Sequence, residues 1–179
     1  MQVMRRFSFT TIYVHARPGL RTRGWLVAGP NRVPVALGRS GIRADKREGD
    51  GGTPRGHFKL RRLWWRADRT PRPRTLLPVR RIRRNHGWCE DSADRRYNLP
   101  VSLQEGKSGD RLWRTDRLYD FIVEIDHNTR PRVAGRGSAV FIHVARPGFG
   151  PTAGCVALEA PRLRRMLERV GPETRLVIR

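Results

Sequence analysis

The chain has 179 residues, of which 38 are Lys or Arg and 16 are Asp or Glu, so it is long enough for one well-packed domain and carries a formal net charge of +22. Hydrophobic residues make up 37% of it, with five Trp and six Phe, which is enough for a core and excludes a disordered basic tail. No run of 18 apolar residues occurs, which excludes a transmembrane helix. We therefore expect a single domain over residues 1–179.

Several short apolar or alternating runs, separated by Gly and Pro, are typical of β-strands because they are rich in β-branched and aromatic residues. In chain order they cover residues 9–14, 24–28, 33–37, 121–125, 139–144 and 176–178. Two stretches between them are predicted as loops. Residues 45–56 are rich in glycine, and residues 66–84 are arginine-rich with three prolines and are expected to run over the surface. The sequence therefore predicts a mainly β fold.

One segment near the C-terminus has helical periodicity. Its apolar residues are spaced i, i+3, i+4 and i+7, and they are Leu163, Met166, Leu167 and Val170. Pro161 suits the first helical position and Gly171 suits the end of the helix. We predict one amphipathic helix over residues 161–170 that packs its apolar side on the sheet.

A histidine and a cysteine are separated by a loop that is able to bring them together. His143 lies near the end of an apolar strand, and Cys155 follows after a stretch rich in Gly and Pro. An imidazole beside a thiol takes its proton, and the resulting ion pair lowers the pKa of the cysteine and yields a thiolate nucleophile. The backbone amides of Gly154 and Cys155 are candidates to stabilise an oxyanion.

The same two residues also fit roles that involve no nucleophile. A buried core cysteine and a hydrogen-bonded strand histidine are the more common finding for an isolated pair. A metal site formed by His143, Cys155, His127 and His86 lacks the short spacing of zinc ligands. We expect neither a metal nor a cofactor. Cys89 is interpreted as a buried small residue, with a redox partner to Cys155 as the alternative.

Two motifs in order along the chain resemble those of YkuD-like L,D-transpeptidases, which are cysteine enzymes that cross-link peptidoglycan. The motifs read FIH at 141–143 followed by PTAGCVAL at 151–158, and GTPRGHF at 52–58. The resemblance covers roughly residues 32–178. It implies a β-sandwich or mixed-sheet catalytic domain with a C-terminal helix.

The resemblance also implies roles for individual residues. Cys155 becomes the nucleophile and His143 its general base, and a main-chain carbonyl orients the imidazole. Gly154 and Cys155 supply the oxyanion amides, and Thr152 occupies the Ser/Thr position of the motif. The implied reaction forms a thioester that an amine of a second peptide stem resolves.

The sequence departs from the family pattern in ways that concern the substrate. Ala153 stands where a second histidine is usual in the family. Ala157 stands at a position after the cysteine where the family often has an arginine. The segments GWC at 87–89, YN at 97–98 and HVARP at 143–147 are similar to those of a divergent proteobacterial branch. Some members of that branch are thought to link L-Ala to diaminopimelate (1,3 cross-links), whereas other enzymes of the family form 3,3 cross-links.

Candidate substrate-binding residues surround this pair in the sequence. Arg146 follows His143 on the loop and suits a stem carboxylate. The other candidates are Thr152, Trp88, Tyr119, His127 and Asn128. A solvated loop arginine accounts for Arg146 equally well. Packing or turn formation is the more common role for residues such as Trp88, Tyr119, His127 and Asn128.

Two further functions stay open at this stage. A cysteine L,D-carboxypeptidase or endopeptidase shares the acyl-enzyme and differs only in whether water resolves it. A polyanion- or nucleic-acid-binding β domain suits the charge, but the arginines form no single run and no nucleic-acid motif is present, so no specific nucleic acid is expected. The peptidoglycan substrate implies a periplasmic location, although residues 1–20 read as a strand and contain no signal-peptide core.

Overall fold

The computed structural model describes residues 8–104 and 109–179, and within them the protein is built mainly from β-strands. One α-helix lies near the C-terminus, α1 (Ala160–Leu167), and one short 3₁₀ helix spans Pro147–Phe149. The strands of the described residues are β1 (Thr11–Arg17), β2 (Leu20–Ala28), β3 (Asn31–Ala36), β4 (Ile42–Arg43), β5 (Thr53–Pro54), β6 (Gly56–Trp65), β7 (Val79–Arg81), β8 (His86–Trp88), β9 (Pro100–Ser102), β10 (Asp110–Arg111), β11 (Phe121–Ile125), β12 (Phe141–Val144), β13 (Val156–Leu158) and β14 (Arg175–Ile178).

Nine of these strands form one mixed sheet in the order β11-β12-β13-β3-β2-β1-β14-β6-β7. β11 also pairs with β6, so the sheet closes on itself and β7 continues from the side of β6. β1 and β14 run parallel, as do β12 and β13. A smaller sheet of β10, β8 and β9 covers part of one face. The predicted mainly β, mixed-sheet fold with a C-terminal helix is confirmed.

β12 separates two hydrophobic clusters, and this decides where the site lies. Successive side chains of a strand point to opposite faces. Ile142 and Val144 enter the main core, which also contains Leu163 and Leu167 of the helix. Phe141 enters a second cluster with residues from the smaller sheet. His143 shares the strand face of Phe141 and therefore points away from the main core.

The predicted helix is confirmed with a shorter range. It begins at Ala160, with Pro161 in the first turn, and ends at Leu167, three residues earlier than predicted. Val170 is nevertheless buried in the main core, because the chain after the helix continues over the sheet. Among the described residues, no helix is long and apolar enough to cross a membrane.

Two regions differ from the sequence predictions. The longest strand, β6, was not predicted, because Arg61 and Arg62 interrupt its apolar pattern. In the structure both arginine side chains form ion pairs with the buried Glu124 of β11. The prediction of a surface excursion over residues 66–84 is wrong in part. That stretch contains β7 and the buried Leu77 and Ile82.

The predicted N-terminal strand is confirmed as β1, although residues 1–7 lie outside the described residues. The glycine-rich stretch 45–56 is a loop apart from β5 and the first residue of β6. Its Thr53 is fully buried, so this loop packs inward.

Candidate active site

His143 and Cys155 lie on neighbouring chain segments. His143 is on β12, and Cys155 immediately precedes β13, which pairs with β12 in parallel and places Ala157 opposite His143. Both side chains line one cleft of about 470 Å³. Both are more than nine-tenths buried. The structure therefore brings the predicted base and the predicted nucleophile into the same enclosed space.

The imidazole of His143 is oriented by a main-chain carbonyl. Its Nδ1 lies 2.8 Å from the carbonyl oxygen of Val144. Because a carbonyl only accepts hydrogen bonds, Nδ1 carries the proton and Nε2 keeps its lone pair. The ring of Tyr119 packs edge-on against the imidazole at 5.3 Å between centroids. Burial, opposed in part by the Val144 hydrogen bond, lowers the pKa of His143 to about 4, so the ring is neutral at pH 7 and able to accept a proton.

The thiol of Cys155 is held by two backbone groups. Its Sγ donates to the carbonyl oxygen of Ala139 at 3.2 Å and accepts from the N–H of Phe141 at 3.3 Å. Burial raises the pKa of Cys155 to about 12. Since burial disfavours the charge on both groups, the resting site holds a neutral thiol and a neutral imidazole in place of the expected ion pair. The proton therefore has to move during attack on the substrate.

This neutral resting state predicts how Cys155 reacts with an alkylating agent. In a Cys89→Ala protein, the rate of alkylation by iodoacetamide is expected to keep rising from pH 7 to pH 10, because the thiolate fraction grows throughout that range when the pKa is about 12. Mass spectrometry of the Cys155 peptide measures the rate. A plateau reached below pH 8 would indicate a preformed thiolate and contradict the neutral pair.

Thr152 shapes the loop before the cysteine. Its N–H donates to the carbonyl of Leu37, and its carbonyl accepts from the N–H of Arg39, both at 2.9 Å. Its Oγ1 donates to the Cys155 carbonyl at 2.6 Å and accepts from the Gly154 N–H at 3.1 Å. One of the two amides predicted to stabilise an oxyanion is therefore already engaged by Thr152.

The two sequence motifs meet at this loop. Gly154 has φ +144°, and a Cβ there would lie 2.8 Å from the carbonyl oxygen of Gly52. Thr53, which follows Gly52, accepts a hydrogen bond from the N–H of Gly38 at 2.9 Å. Gly38 lies between the two residues whose backbone groups bind Thr152, so Thr53 holds that segment in place. Residues about a hundred positions apart thus form one backbone scaffold beneath Cys155.

Gly154→Ala is expected to destabilise the protein by about 2 kcal/mol or more, because the new methyl group meets backbone atoms at a φ that favours glycine. Turnover is expected to fall roughly tenfold to hundredfold as Cys155 shifts. Urea unfolding and steady-state kinetics measure the two effects.

Gly150→Ala is the matched control, since φ at Gly150 is −55° and the nearest atom to a new Cβ is 3.9 Å away. We expect its unfolding free energy to stay within about 0.5 kcal/mol of the parent. Similar losses in the two variants would contradict the role given to the Gly52 contact.

The other predicted substrate-binding residues divide into two groups. Arg146, Thr152 and Tyr119 line the cleft. Trp88 lies in the second hydrophobic cluster, where its ring packs against Phe141.

His127 and Asn128 lie in the turn after β11. Their side chains contact the loop over residues 133–137 and do not line the cleft. His127 Nε2 is 3.0 Å from the Arg136 carbonyl, and the Asn128 side chain bonds backbone groups of Val133 and Gly137. Trp88 Nε1 donates to Asn98, which also accepts from the N–H of Ala139. These contacts stabilise the segment around Ala139, whose carbonyl binds the Cys155 thiol.

Cys89 and Cys155 are both free and buried.

Charged residues that sequence reasoning missed also line the cleft. They are Arg39, Lys46, Glu48, Glu90, Asp110 and Arg114. Asp110 accepts from the Tyr119 hydroxyl at 2.7 Å, and Glu48 accepts from Ser138 Oγ at 2.7 Å and from the Tyr97 hydroxyl. Desolvation in the cleft, and then the carboxylates of Asp110 and Glu48, raise the pKa of Glu90 to about 7. No local pattern marks these residues, because they come from segments that are far apart in the sequence and meet only in the folded chain.

Comparison with known proteins supports one family. Neither the search of curated proteins nor the search of solved structures found a significant match. The model of the YkuD family, described as the L,D-transpeptidase catalytic domain, matches residues 22–178. That range includes β3 to β14, most of β2 and every residue of the cleft. With its scaffold, its cysteine and its carbonyl-bound histidine in place, the chain belongs to the YkuD family of L,D-transpeptidase catalytic domains.

Proposed function

We propose that the protein is a peptidoglycan L,D-transpeptidase that acts through a thioester on Cys155, with His143 as the base. The supporting observation is that His143 shares the cleft of Cys155 and has its Nδ1 bonded to the Val144 carbonyl. That bond leaves Nε2 free to take the thiol proton.

The first half-reaction transfers an acyl group to the enzyme. Sγ of Cys155 attacks the carbonyl carbon of an L-residue in the donor stem while Nε2 of His143 takes the thiol proton. The N–H of Cys155, joined by Gly154 when that amide leaves Thr152, stabilises the oxyanion. As the intermediate collapses, the carbon–nitrogen bond breaks, and His143 returns the proton to the departing amine. A thioester on Cys155 remains.

In the second half-reaction, the side-chain amine of diaminopimelate in an acceptor stem attacks the thioester. His143 takes a proton from this amine and gives it to the departing sulfur as the carbon–sulfur bond breaks, which restores the Cys155 thiol and the neutral imidazole. The products are a cross-linked dimer and the free enzyme. A donor carbonyl from L-Ala gives a 1,3 bond, and one from diaminopimelate gives a 3,3 bond.

The cleft carries both positive and negative side chains, which suit a donor stem with carboxylates and an acceptor stem with an ammonium group. Arg114 and Arg146 are close enough to His143 to lower its pKa, after the larger effect of burial, and they suit donor carboxylates. The carboxylates of Asp110 and Glu90 add to the larger effect of burial in raising the pKa of Cys155, and they suit the ammonium group of an acceptor. The substrate also implies that the protein works in the periplasm.

Incubation with diaminopimelate-containing muropeptides tests this function. We expect new dimers and a transient adduct on Cys155, both read by mass spectrometry, and fragmentation of the dimers distinguishes 1,3 from 3,3 bonds. Shortened stems without dimers would make the protein a cysteine carboxypeptidase or endopeptidase. The absence of any Cys155-dependent product would overturn the enzymatic proposal.

A further inference from the structure

Four adjacent strands and the start of a fifth, none of which lines the cleft, contain no acidic residues. Residues 8–44, 56–59 and 174–179 contain neither Asp nor Glu. They form the adjacent strands β3, β2, β1 and β14 and the start of β6. Chain segments far apart in the sequence thus combine into one surface that lacks acidic side chains. The carboxylate of Asp126 marks its border by accepting from the N–H of Lys59 at 2.7 Å.

The strand registers place aromatic and basic side chains side by side on this surface. Tyr13 pairs with Val27 and Val177, and His15 pairs with Trp25. Continuing across the sheet, Val27 pairs with Arg32, Val177 with His57, and Arg175 with Lys59. We call this surface the arginine face and define it by Tyr13, Trp25, Arg32, His57, Arg175 and Arg179.

Guanidinium groups cover the aromatic rings of the arginine face. Arg32 lies 4.2 Å and Arg17 lies 5.8 Å from the ring centroid of Trp25. Arg179 lies 5.2 Å from the ring centroid of Tyr13. A guanidinium held near a ring by a cation–π contact keeps N–H groups that are able to bind oxygen atoms. The rings themselves are occupied and are not available to stack nucleic-acid bases.

A shallow cavity within the arginine face adds an unsatisfied donor. The cavity is lined by Tyr13, Arg55, His57, Arg175 and Arg179, among others. Nη1 of Arg175 is buried and has no hydrogen-bond partner among the described residues. Burial, followed by the charges of Arg179 and Arg32, lowers the pKa of the neighbouring His15, which reflects the positive potential there. An oxyanion of a ligand would accept a hydrogen bond from Nη1 of Arg175 and would be attracted by the positive potential.

We propose that the arginine face docks the protein on an anionic phospholipid surface, with its guanidinium groups binding headgroup phosphates. The face spans five strands, whose outer members lie roughly 19 Å apart at the usual strand spacing, which is wide enough for several headgroups. Leu20 is 43% exposed at the turn between β1 and β2, beside the exposed Arg17 and Arg21, so one apolar side chain is available to enter the headgroup layer. This inference is independent of the proposed reaction.

Vesicle binding by the full chain tests the proposal. The protein is expected to sediment with vesicles that contain phosphatidylglycerol, to remain in solution with phosphatidylcholine vesicles, and to dissociate as NaCl is raised. The triple variant Arg32→Gln, Arg175→Gln and Arg179→Gln is expected to bind about a hundredfold more weakly. The control variant Arg72→Gln, Arg83→Gln and Arg95→Gln loses the same charge from exposed loop positions and is expected to bind like the parent.

Several results would overturn the proposal. Equal weakening in both triple variants would mean that only net charge matters. Equal binding to phosphatidylcholine, whose phosphate is balanced by the choline cation, would show that the net negative charge of the lipid plays no part. Tighter binding to double-stranded DNA, lost in the arginine-face variant, would reassign the face to nucleic acid.

Two controls keep the test decisive. If the triple variant does not fold, the single variant Arg32→Gln at an exposed position, with an expected loss of about fivefold, takes its place. Turnover of soluble muropeptides without vesicles is expected to be unchanged in the folded arginine-face variant. Cys155→Ala is expected to keep vesicle binding, so failure of the reaction and failure of the docking are separable.

Discussion

Cys155→Ala is expected to lower turnover of muropeptides by roughly ten thousandfold or more while the protein stays folded. The substitution removes the only atom that can carry the acyl group in the proposed reaction. It also leaves the Ala139 carbonyl and the Phe141 N–H without their thiol partner, which we expect to cost about 1–2 kcal/mol of unfolding free energy. Product analysis by mass spectrometry and thermal unfolding measure the two effects.

Cys89→Ala is the matched control for this prediction. Cys89 is buried and free like Cys155, but it lies outside the residues that line the cleft. We expect the Cys89→Ala variant to keep nearly full activity, although it makes the same Cys-to-Ala change at a buried position. Equal loss of activity in two folded variants would refute the distinct roles of the two cysteines.

His143→Gln is expected to lower turnover by roughly a hundredfold to ten thousandfold, because Gln cannot accept the thiol proton at neutral pH. Its side-chain amide can still donate to the Val144 carbonyl, so the loss reports on the base and not on the strand. Single-turnover experiments on acylation measure the effect. Normal acylation in this variant would show that another group takes the proton.

The same variant is expected to change how stability depends on pH. The folded-state pKa of His143 is about 4, below the ordinary value of 6.5, so the unfolded chain binds more protons in this window. The stability associated with the neutral ring is present above pH 6.5 and is lost as the pH falls towards 4, by about 3 kcal/mol.

Urea unfolding of the parent and of His143→Gln at pH 7 and pH 4.5 tests this linkage. Because the other titrating groups are common to both proteins, their contributions cancel in the difference between the two. We expect the parent to lose more stability than the variant on acidification. Equal losses would show that His143 does not keep a depressed pKa in the folded protein.

Much of the fold follows from local patterns. Alternating apolar residues predicted the strands β1, β2, β3, β11, β12 and β14, and the i, i+3, i+4 spacing predicted α1. β6 escaped this reasoning because Arg61 and Arg62 look like surface residues. Their partner is Glu124, more than sixty residues away, and no local pattern contains that pairing.

Residue type and short-range periodicity are local properties, so they were enough to predict the mainly β class, the C-terminal helix and the reactive pair His143 and Cys155. The surroundings of these two residues, in contrast, depend on how distant segments of the chain pack together. Burial set the protonation of both groups, and the contact of Gly52 with Gly154 fixed the loop before Cys155. The pairing of β8 with β10 brought Glu90 and Asp110 into the cleft. Desolvation and Coulomb interactions depend on distances in space, and these exist only once the chain has folded.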